Sequence, residues 1–151
     1  MSNKPRTLSS ETRQVAALPW RHGADGVEIM MITSRETRRW VIPKGNPPKG
    51  LSPHDAAALE AEEEAGVRGA ICPVALGSYR YRKKRASGAS LMLDVDVFPL
   101  AVRDVADAWK EQGERERRWF SLEAAAQAVD EDDLKDLIRS FGNRDFKAAT
   151  Q

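Results

Sequence analysis

The sequence predicts one α/β domain, in which helices pack against a layer of strands. Strand-like segments rich in Val, Ile and Met dominate the middle of the chain, an alanine-rich helical segment interrupts them, and amphipathic helical patterns close it. Such an alternation favours a layered α/β architecture. A length of 151 residues is most simply a single domain, 1–151, that can bury a substantial core.

The first third of the chain favours strands. Residues 1–12 are expected to be a flexible start. The strands are predicted from β-branched and apolar runs bounded by turn residues, at Gln14–Leu18, Val27–Thr33 and Trp40–Ile42, with a turn at His22–Gly26. Pro43–Gly50, which holds three prolines and two glycines, is predicted to be a loop.

A helix is strongly signalled after that loop. Ser52 is a suitable N-cap and Pro53 suits the first helical position. Alanine-rich sequence follows, and Gly66 is placed to end the helix in a left-handed conformation. We therefore predict one helix between these two ends.

The second half is predicted to return to strands and then to finish in two helices. The strands are expected at Ile71–Arg82, Ser90–Leu100 and Arg117–Phe120, with a polar turn at Lys84–Ala89. Ser121 is expected to cap a helix that runs to about Val129. A last amphipathic helix carries apolar residues at i, i+3, i+4 and i+7, namely Leu134, Leu137, Ile138 and Phe141. It is expected to end at Gly142, leaving 143–151 as a flexible tail.

Composition indicates a globular protein of a reducing compartment. The hydrophobic fraction is 41% and the charged fraction 31%. The single cysteine, Cys72, cannot form an internal disulfide, and no secretory signal or membrane-spanning run is recognisable, so a cytoplasmic location is predicted. The net charge is only +1, but basic clusters surround acidic ones. This distribution favours a small polyanionic substrate over a membrane or a long nucleic acid, and leaves the oligomeric state open.

The stretch LEAEEEAG, residues 59–66, carries the most informative charges. At about 100° per residue, Glu60, Glu63 and Glu64 share one helical face and Glu62 points elsewhere. Like charges at these spacings repel, and no basic residue lies one turn before them on the helix. A hard divalent cation, Mg²⁺ or Mn²⁺, would relieve the repulsion, because such ions prefer oxygen ligands. The alternative is a solvated acidic face.

The spacing from Gly45 to Val67 resembles the Nudix hydrolase superfamily. Its signature is G-x5-E-x7-R-E-U-x-E-E-x-G-U, where U is a bulky aliphatic residue. Aligning its last glycine with Gly66 places its first on Gly45 and its paired glutamates on Glu60, Glu63 and Glu64. The same three glutamates are therefore selected by helical phase and by the resemblance.

The chain departs from this signature at three positions. Leu51 replaces the isolated glutamate, Leu59 replaces the arginine, and Ala61 replaces a bulky aliphatic residue. In the family the arginine supports the first glutamate of the helix, which Leu59 cannot do. A basic residue from elsewhere is expected to substitute, with Lys44, Lys49 and Arg39 as the nearest in sequence.

Sequence outside the signature resembles a subgroup, the diphosphoinositol polyphosphate and diadenosine polyphosphate hydrolases. The similarity lies in ITSRETRRWVIPKG, residues 32–45, and WKEQGERERRWFSLEAA, residues 109–125. It implies a Nudix-type α/β/α sandwich with a mixed β-sheet, the signature loop and helix on one side and the C-terminal helices packing on the sheet.

The resemblance also implies a metal-dependent pyrophosphohydrolase. Glu60 and Glu64 would be the main Mg²⁺ or Mn²⁺ ligands, Glu63 would share metal binding or water activation, and the Gly45 carbonyl would be a backbone ligand. The general base is left open between Glu63 and Glu60. Basic side chains are expected to bind the phosphates of a small phosphorylated substrate, a diadenosine polyphosphate or a diphosphoinositol polyphosphate: Arg13, Arg35, Arg39, Lys44, Lys49, Arg80, Arg82, Arg115 and Arg117.

Other acidic residues are rival candidates for the site. Asp94 and Asp96 alternate on one face of a predicted strand, where the simpler interpretation is a wet sheet face. Glu111 and Glu114 are expected to lie in a solvated loop.

Two further functions stay open. Leu51 and Leu59 are compatible with a Nudix-fold binding or regulatory module that has weak or no turnover. An enzyme that removes a 5′ pyrophosphate from RNA is less favoured, because no long basic groove with aromatic platforms is recognisable.

Overall fold

The computed structural model describes residues 13–84 and 87–143. The strands are β1 Arg13–Gly23, β2 Gly26–Thr33, β3 Trp40–Val41, β4 Lys44–Gly45, β5 Val67–Ile71, β6 Gly77–Lys84, β7 Ser90–Val105 and β8 Arg117–Ser121. The helices are α1 Pro53–Ala65, α2 Leu122–Ala128 and α3 Asp132–Gly142. Apart from Asn143, the two predicted tails lie outside the described residues.

The strands form one mixed sheet. Its main path has the order β3-β2-β1-β7-β5, and β1 and β7 run parallel at its centre. The other pairings are antiparallel: β6 pairs with β7, β8 pairs with β2, and the two-residue β4 pairs with β1. The pairing of β4 sets Gly45 opposite Val15, so the end of the signature loop is held against the central strand.

Helices cover both faces of the sheet. Because strand side chains alternate between faces, Val15 and Ala17 of β1 pack with α1, whereas Ala16 and Leu18 pack with α2 and α3. The contact surface of α1 is made of alanines, which allow the helix to lie close to the sheet. The predicted α/β/α sandwich is therefore confirmed.

The ends of α1 are as the sequence predicts. The Ser52 hydroxyl accepts a hydrogen bond from the Asp55 amide at 3.3 Å. Gly66 adopts a left-handed φ of 68°, and its amide donates to the Glu62 carbonyl at 3.1 Å. These two caps fix where the helix begins and ends, and with them the direction of its glutamates.

The C-terminal helices also match their patterns. The Ser121 hydroxyl caps α2 by accepting from the Ala124 amide at 3.2 Å. On α3, Leu134, Ile138 and Phe141 are buried against the sheet. Within the described residues, no helix has both the length and the apolar character needed to cross a bilayer.

Several strand predictions need correction. The strand predicted to end at Leu18 continues to Gly23. The single strand predicted at Ile71–Arg82 is wrong: β5 ends at Ile71 and β6 begins at Gly77. Pro73 lies in the break, where it lacks an amide for a sheet hydrogen bond and restricts the residue before it. The strand predicted to end at Leu100 continues to Val105, because β5 pairs with this extension.

Candidate active site

A cleft of about 770 Å³ opens beside the N-terminal half of β1 and the glutamate face of α1. The loop 34–39, strands β3 and β4, the end of β6 and the loop 106–116 complete its walls. Its charged lining side chains are Arg35, Glu36, Arg39, Lys44, Glu60, Glu64, Arg82, Lys83, Lys84, Glu111 and Arg115. The cleft thus combines carboxylates on α1 with a basic rim.

Glu60 and Glu64 lie together on the α1 side of the cleft. Gly45 approaches the Glu60 carboxylate so closely that a Cβ on this glycine would stand 2.5 Å from Glu60 Oε2. The Lys44 amide donates to Glu64 Oε1 at 3.2 Å. The glycine of the signature loop and the first and last glutamates of the predicted triad are therefore brought to one place.

Burial and contact with Glu60 raise the pKa of Glu64. Glu64 is 7% exposed. Its burial and its hydrogen bond with Glu60 raise the pKa of Glu64 from its ordinary 4.5 to about 9, although Arg115 lowers it. A nearby positive charge counteracts this rise, because it favours the ionised carboxylate.

Glu63 and Glu62 point away from this pair. The Glu63 carboxylate lies 3.7 Å from the Lys110 ammonium and is not part of the cleft lining. Glu62 is more exposed and pairs with Arg68 at 2.7 Å. The helical phase correctly separated Glu62 from Glu60 and Glu64, whereas Glu63 occupies the edge of the predicted face.

Arg115 and Glu111 reach the carboxylates from the loop between β7 and β8. Arg115 Nε donates to Glu111 Oε1 at 2.7 Å, and its Nη2 lies 3.8 Å from Glu64 Oε1. The Arg115 side chain is 9% exposed and that of Glu111 is 16% exposed. The prediction of a solvated loop is therefore wrong for Glu111, and holds for Glu114, whose side chain is 52% exposed.

The same loop, together with Arg117 at the start of β8, donates hydrogen bonds to the backbone carbonyls at the end of α1. The Glu111 amide donates to the Glu63 carbonyl at 3.1 Å, and Trp109 Nε1 donates to the Glu64 carbonyl at 3.0 Å. Arg117 donates to the Ala65 carbonyl at 2.9 Å. The Ala106 amide continues the series by donating to the Gly66 carbonyl at 2.8 Å. We call this set of contacts, to the carbonyls of residues 63–66, the loop latch.

Lys44 contributes a partly buried cation to the cleft. Its ammonium lies 4.3 Å from the centre of the Tyr81 ring. Burial lowers the pKa of Lys44 to about 8, and the negative charge of Glu64 opposes that shift. Lys44 is thus near the carboxylates through both its backbone amide and its charge.

The structure divides the predicted phosphate-binding residues into two groups. Those that line the cleft are Arg35, Arg39, Lys44, Arg82 and Arg115. Those that do not are Arg13, Lys49, Arg80 and Arg117. Arg13 pairs with Asp96 at 2.9 Å, and Arg80 pairs with Asp94 at 3.3 Å. Both aspartates therefore form ion pairs on the sheet, outside the cleft lining.

Several polar residues of the cleft were not predicted as site residues, among them Glu111, Gln14, Asn46 and Lys84. Glu111 was judged by its charged neighbours, although its contact with Arg115 depends on the folding of the loop. Gln14 and Asn46 also line the cleft, and Gln14 Nε2 donates to Asn46 Oδ1 at 3.2 Å. Gln14 begins a predicted strand, and only the pairing of that strand with β4 brings its amide to Asn46.

A sequence model of the NUDIX domain matches residues 12–141. The chain belongs to the Nudix family. The family match and the names of the relatives support the prediction of a hydrolase that acts on phosphoric anhydride bonds. Nudix hydrolases act on small phosphorylated substrates and generally use divalent cations such as Mg²⁺ or Mn²⁺.

Named relatives include the subgroup that the sequence resembles. Nudix hydrolase 21, chloroplastic, from Arabidopsis thaliana is 31% identical over 141 residues, covering 91% of this chain and 68% of that protein. Diphosphoinositol polyphosphate phosphohydrolase 3-alpha from Mus musculus is 28% identical over 131 residues, covering 84% and 76%. The chain spans only 51% to 68% of the length of five Arabidopsis Nudix hydrolases.

Solved Nudix structures share the fold. A binary complex of a C. elegans Ap4A hydrolase superposes with a TM-score of 0.65 at 22% identity, covering 91% of this chain and 98% of that chain. The E. coli dihydroneopterin triphosphate pyrophosphohydrolase gives 0.62 at 16% identity, covering 87% and 94%. These likenesses confirm the Nudix fold of this chain.

The donor set of the Nudix cleft fits a hard divalent cation. Glu60 and Glu64 supply carboxylate oxygens, and burial raises the pKa of Glu64. Among the described residues, no group of three His, Cys, Asp or Glu side chains is arranged to hold a metal ion. The remaining ligands would then be backbone carbonyls, water and substrate phosphate oxygens, which is a common arrangement for Mg²⁺.

Proposed function

We propose that this Nudix protein is a metal-dependent pyrophosphohydrolase of small, highly phosphorylated molecules, with a diadenosine polyphosphate or a diphosphoinositol polyphosphate as the substrate class. The observation that carries the proposal is the juxtaposition of Glu60 and Glu64 with Gly45 inside a cleft with a basic rim. The names of the mouse and C. elegans relatives support the two substrate classes.

The proposed cation site uses the two converging carboxylates. Glu60 and Glu64 would hold Mg²⁺ or Mn²⁺, with the Gly45 carbonyl as a backbone ligand. When bound, such a cation polarises a phosphoryl group and makes water a better nucleophile. Cation binding requires the ionised form of Glu64, which the Arg115 guanidinium favours because it lowers the pKa of Glu64.

The basic rim would bind the phosphates that flank the scissile anhydride. Arg35, Arg82 and Lys84 lie at the cleft surface, where their charges are accessible to a polyanion. Arginine can bind phosphate oxygens through two parallel hydrogen bonds, and lysine adds a point charge. A polyphosphate long enough to reach from the carboxylates to this rim would use both parts of the cleft. Either Glu63 or Glu60 would act as the general base.

Two matched variants on one helix test the proposal. With Mg²⁺ or Mn²⁺, the protein is expected to release nucleotide or phosphate from at least one of the diadenosine polyphosphates or inositol pyrophosphates, measured by chromatography. Glu64→Gln should lower kcat/KM by about 100-fold or more, because it removes a charged ligand of the reacting centre. Glu62→Gln, the same change on a side chain paired with Arg68 outside the cleft, should stay within about twofold. Equal losses in the two variants would contradict the assignment.

The second candidate is a Nudix-fold binding module, and Leu51 and Leu59 favour it because they replace two charged signature residues. Calorimetry with the same ligands distinguishes the two functions. Metal-dependent binding without any product over the same concentration range would support the module and exclude the enzyme for those substrates.

A further inference from the structure

We infer that Arg115 is the positioning residue of this site: it holds the carboxylates of Glu64 and Glu111 in place from the loop 106–116. This inference deepens the proposed function and rests on it for the catalytic importance of Glu64. It assigns to Arg115 a role other than direct phosphate binding.

The first support is the geometry of the guanidinium. All three of its nitrogens face groups of the protein: Nε donates to Glu111 at 2.7 Å, Nη1 donates to the Thr33 carbonyl at 3.1 Å, and Nη2 lies 3.8 Å from Glu64 Oε1. With its side chain only 9% exposed, Arg115 has little surface left for a substrate. A side chain that is fixed on three sides is suited to hold its neighbours.

The second support is the absence of a basic neighbour on α1 itself. Positions 56, 57 and 59, one turn before the glutamates, are two alanines and Leu59. The charge that balances Glu64 must therefore come from another element. Within residues 13–84 and 87–143, Arg115 is the cation that forms an ion pair with Glu64.

The third support is that the nearby alternatives are engaged elsewhere. The Arg39 guanidinium lies 3.3 Å from Glu131 and 3.4 Å from Asp130. The Lys44 ammonium lies over the Tyr81 ring. Lys49 is exposed and outside the cleft lining. None of these three cations forms an ion pair with Glu64.

The role predicts a kinetic effect of a particular kind. Arg115→Gln should lower kcat and the affinity for Mn²⁺ alone by about tenfold or more, as removal of partners of metal ligands commonly does. KM should change by less than about threefold, because the substrate does not lose a direct contact. Arg115→Lys, which keeps the charge but not the fork, should recover part of the loss. A raised KM with unchanged kcat would instead make Arg115 a substrate ligand and overturn the inference.

Hydrogen exchange of one backbone amide tests the inference in the absence of metal and substrate. The Lys44 amide donates to Glu64 Oε1, so displacement of that carboxylate exposes the amide to exchange. In Arg115→Gln, hydrogen exchange of the Lys44 amide, followed by NMR, should quicken by about tenfold or more. Arg68→Gln is the matched control, because it removes an arginine that pairs with Glu62, a carboxylate of α1 outside the cleft. Its Lys44 amide should remain within about threefold of the unmutated protein.

The exchange result separates failure of this inference from failure of the proposed function. Faster exchange in Arg115→Gln alone supports the positioning role, even if the unmutated protein neither binds Mn²⁺ nor turns over any substrate. Unchanged exchange, or an equal change in Arg68→Gln, overturns it, even if the unmutated protein is an active hydrolase.

Discussion

Gly45→Ala is expected to damage the site while sparing the fold. The added methyl would stand 2.5 Å from Glu60 Oε2, whereas ordinary contacts begin at 3.4 Å. The Glu60 carboxylate must therefore withdraw by about 1 Å. Because the obstacle is the end of a flexible side chain, the free energy of unfolding should fall by less than about 1 kcal/mol. A displacement of about 1 Å at a reacting centre can cost about 100-fold in rate.

The assay pairs turnover with stability. The expected result is a loss of kcat/KM of about 100-fold with a nearly unchanged urea midpoint. Gly113→Ala is the matched control: a Cβ there meets nothing within 4 Å and the position lies in the loop 106–116, so both quantities should stay unchanged. If Gly45→Ala retains activity within about threefold, the close approach of Gly45 to Glu60 has no bearing on the reaction. A large loss of stability would show that the Glu60 carboxylate cannot move away from the added methyl group.

Three further predictions concern stability. Because the folded state keeps a proton on Glu64 that the unfolded chain releases above its ordinary pKa of 4.5, metal-free stability should fall as pH rises toward the folded pKa of about 9. The fall should be at most about 1.4 kcal/mol per pH unit. Urea titrations of Glu64→Gln should lack this slope, and an equal slope in the variant would refute its origin. Gly66→Ala places a Cβ at a φ of 68° and 2.8 Å from the Trp109 ring, so urea unfolding should reveal a loss of about 1–3 kcal/mol; a loss under about 0.5 kcal/mol would contradict the strain. Ser52→Ala removes the hydroxyl that caps α1 and should cost about 1 kcal/mol in the same assay, with no change counting against the cap.

Local patterns predicted the features that depend on local geometry. The caps at Ser52 and Gly66 follow from the residue types that helix ends require, and both are present. Helical phase separated Glu62 from Glu60 and Glu64 because neighbours on a helix are fixed by its pitch. Glu63 lies near the boundary of the predicted face. At such a boundary, helical phase does not determine whether a flexible side chain enters the cleft.

Contacts between residues far apart in the sequence could not be predicted from these local patterns. Arg115 meets Glu64 only because β7 and β8 return the chain to α1, and no local period marks that encounter. Lys44, Lys49 and Arg39 were considered because they are near in sequence, whereas Arg115 lies 51 positions after Glu64. Pro73 was a different kind of miss: its effect is local, and it was outweighed by the apolar residues around it.

The loop latch makes a surface loop part of the helix that it touches. Loops commonly open independently of the elements they connect and tolerate insertions. Here, opening of residues 106–116 would remove the hydrogen-bond donors of the Glu63, Glu64 and Gly66 carbonyls at the end of α1, so the two segments should open as one cooperative unit. An insertion in this loop should therefore displace Glu64. This part of the chain should tolerate changes of length as poorly as a core element does.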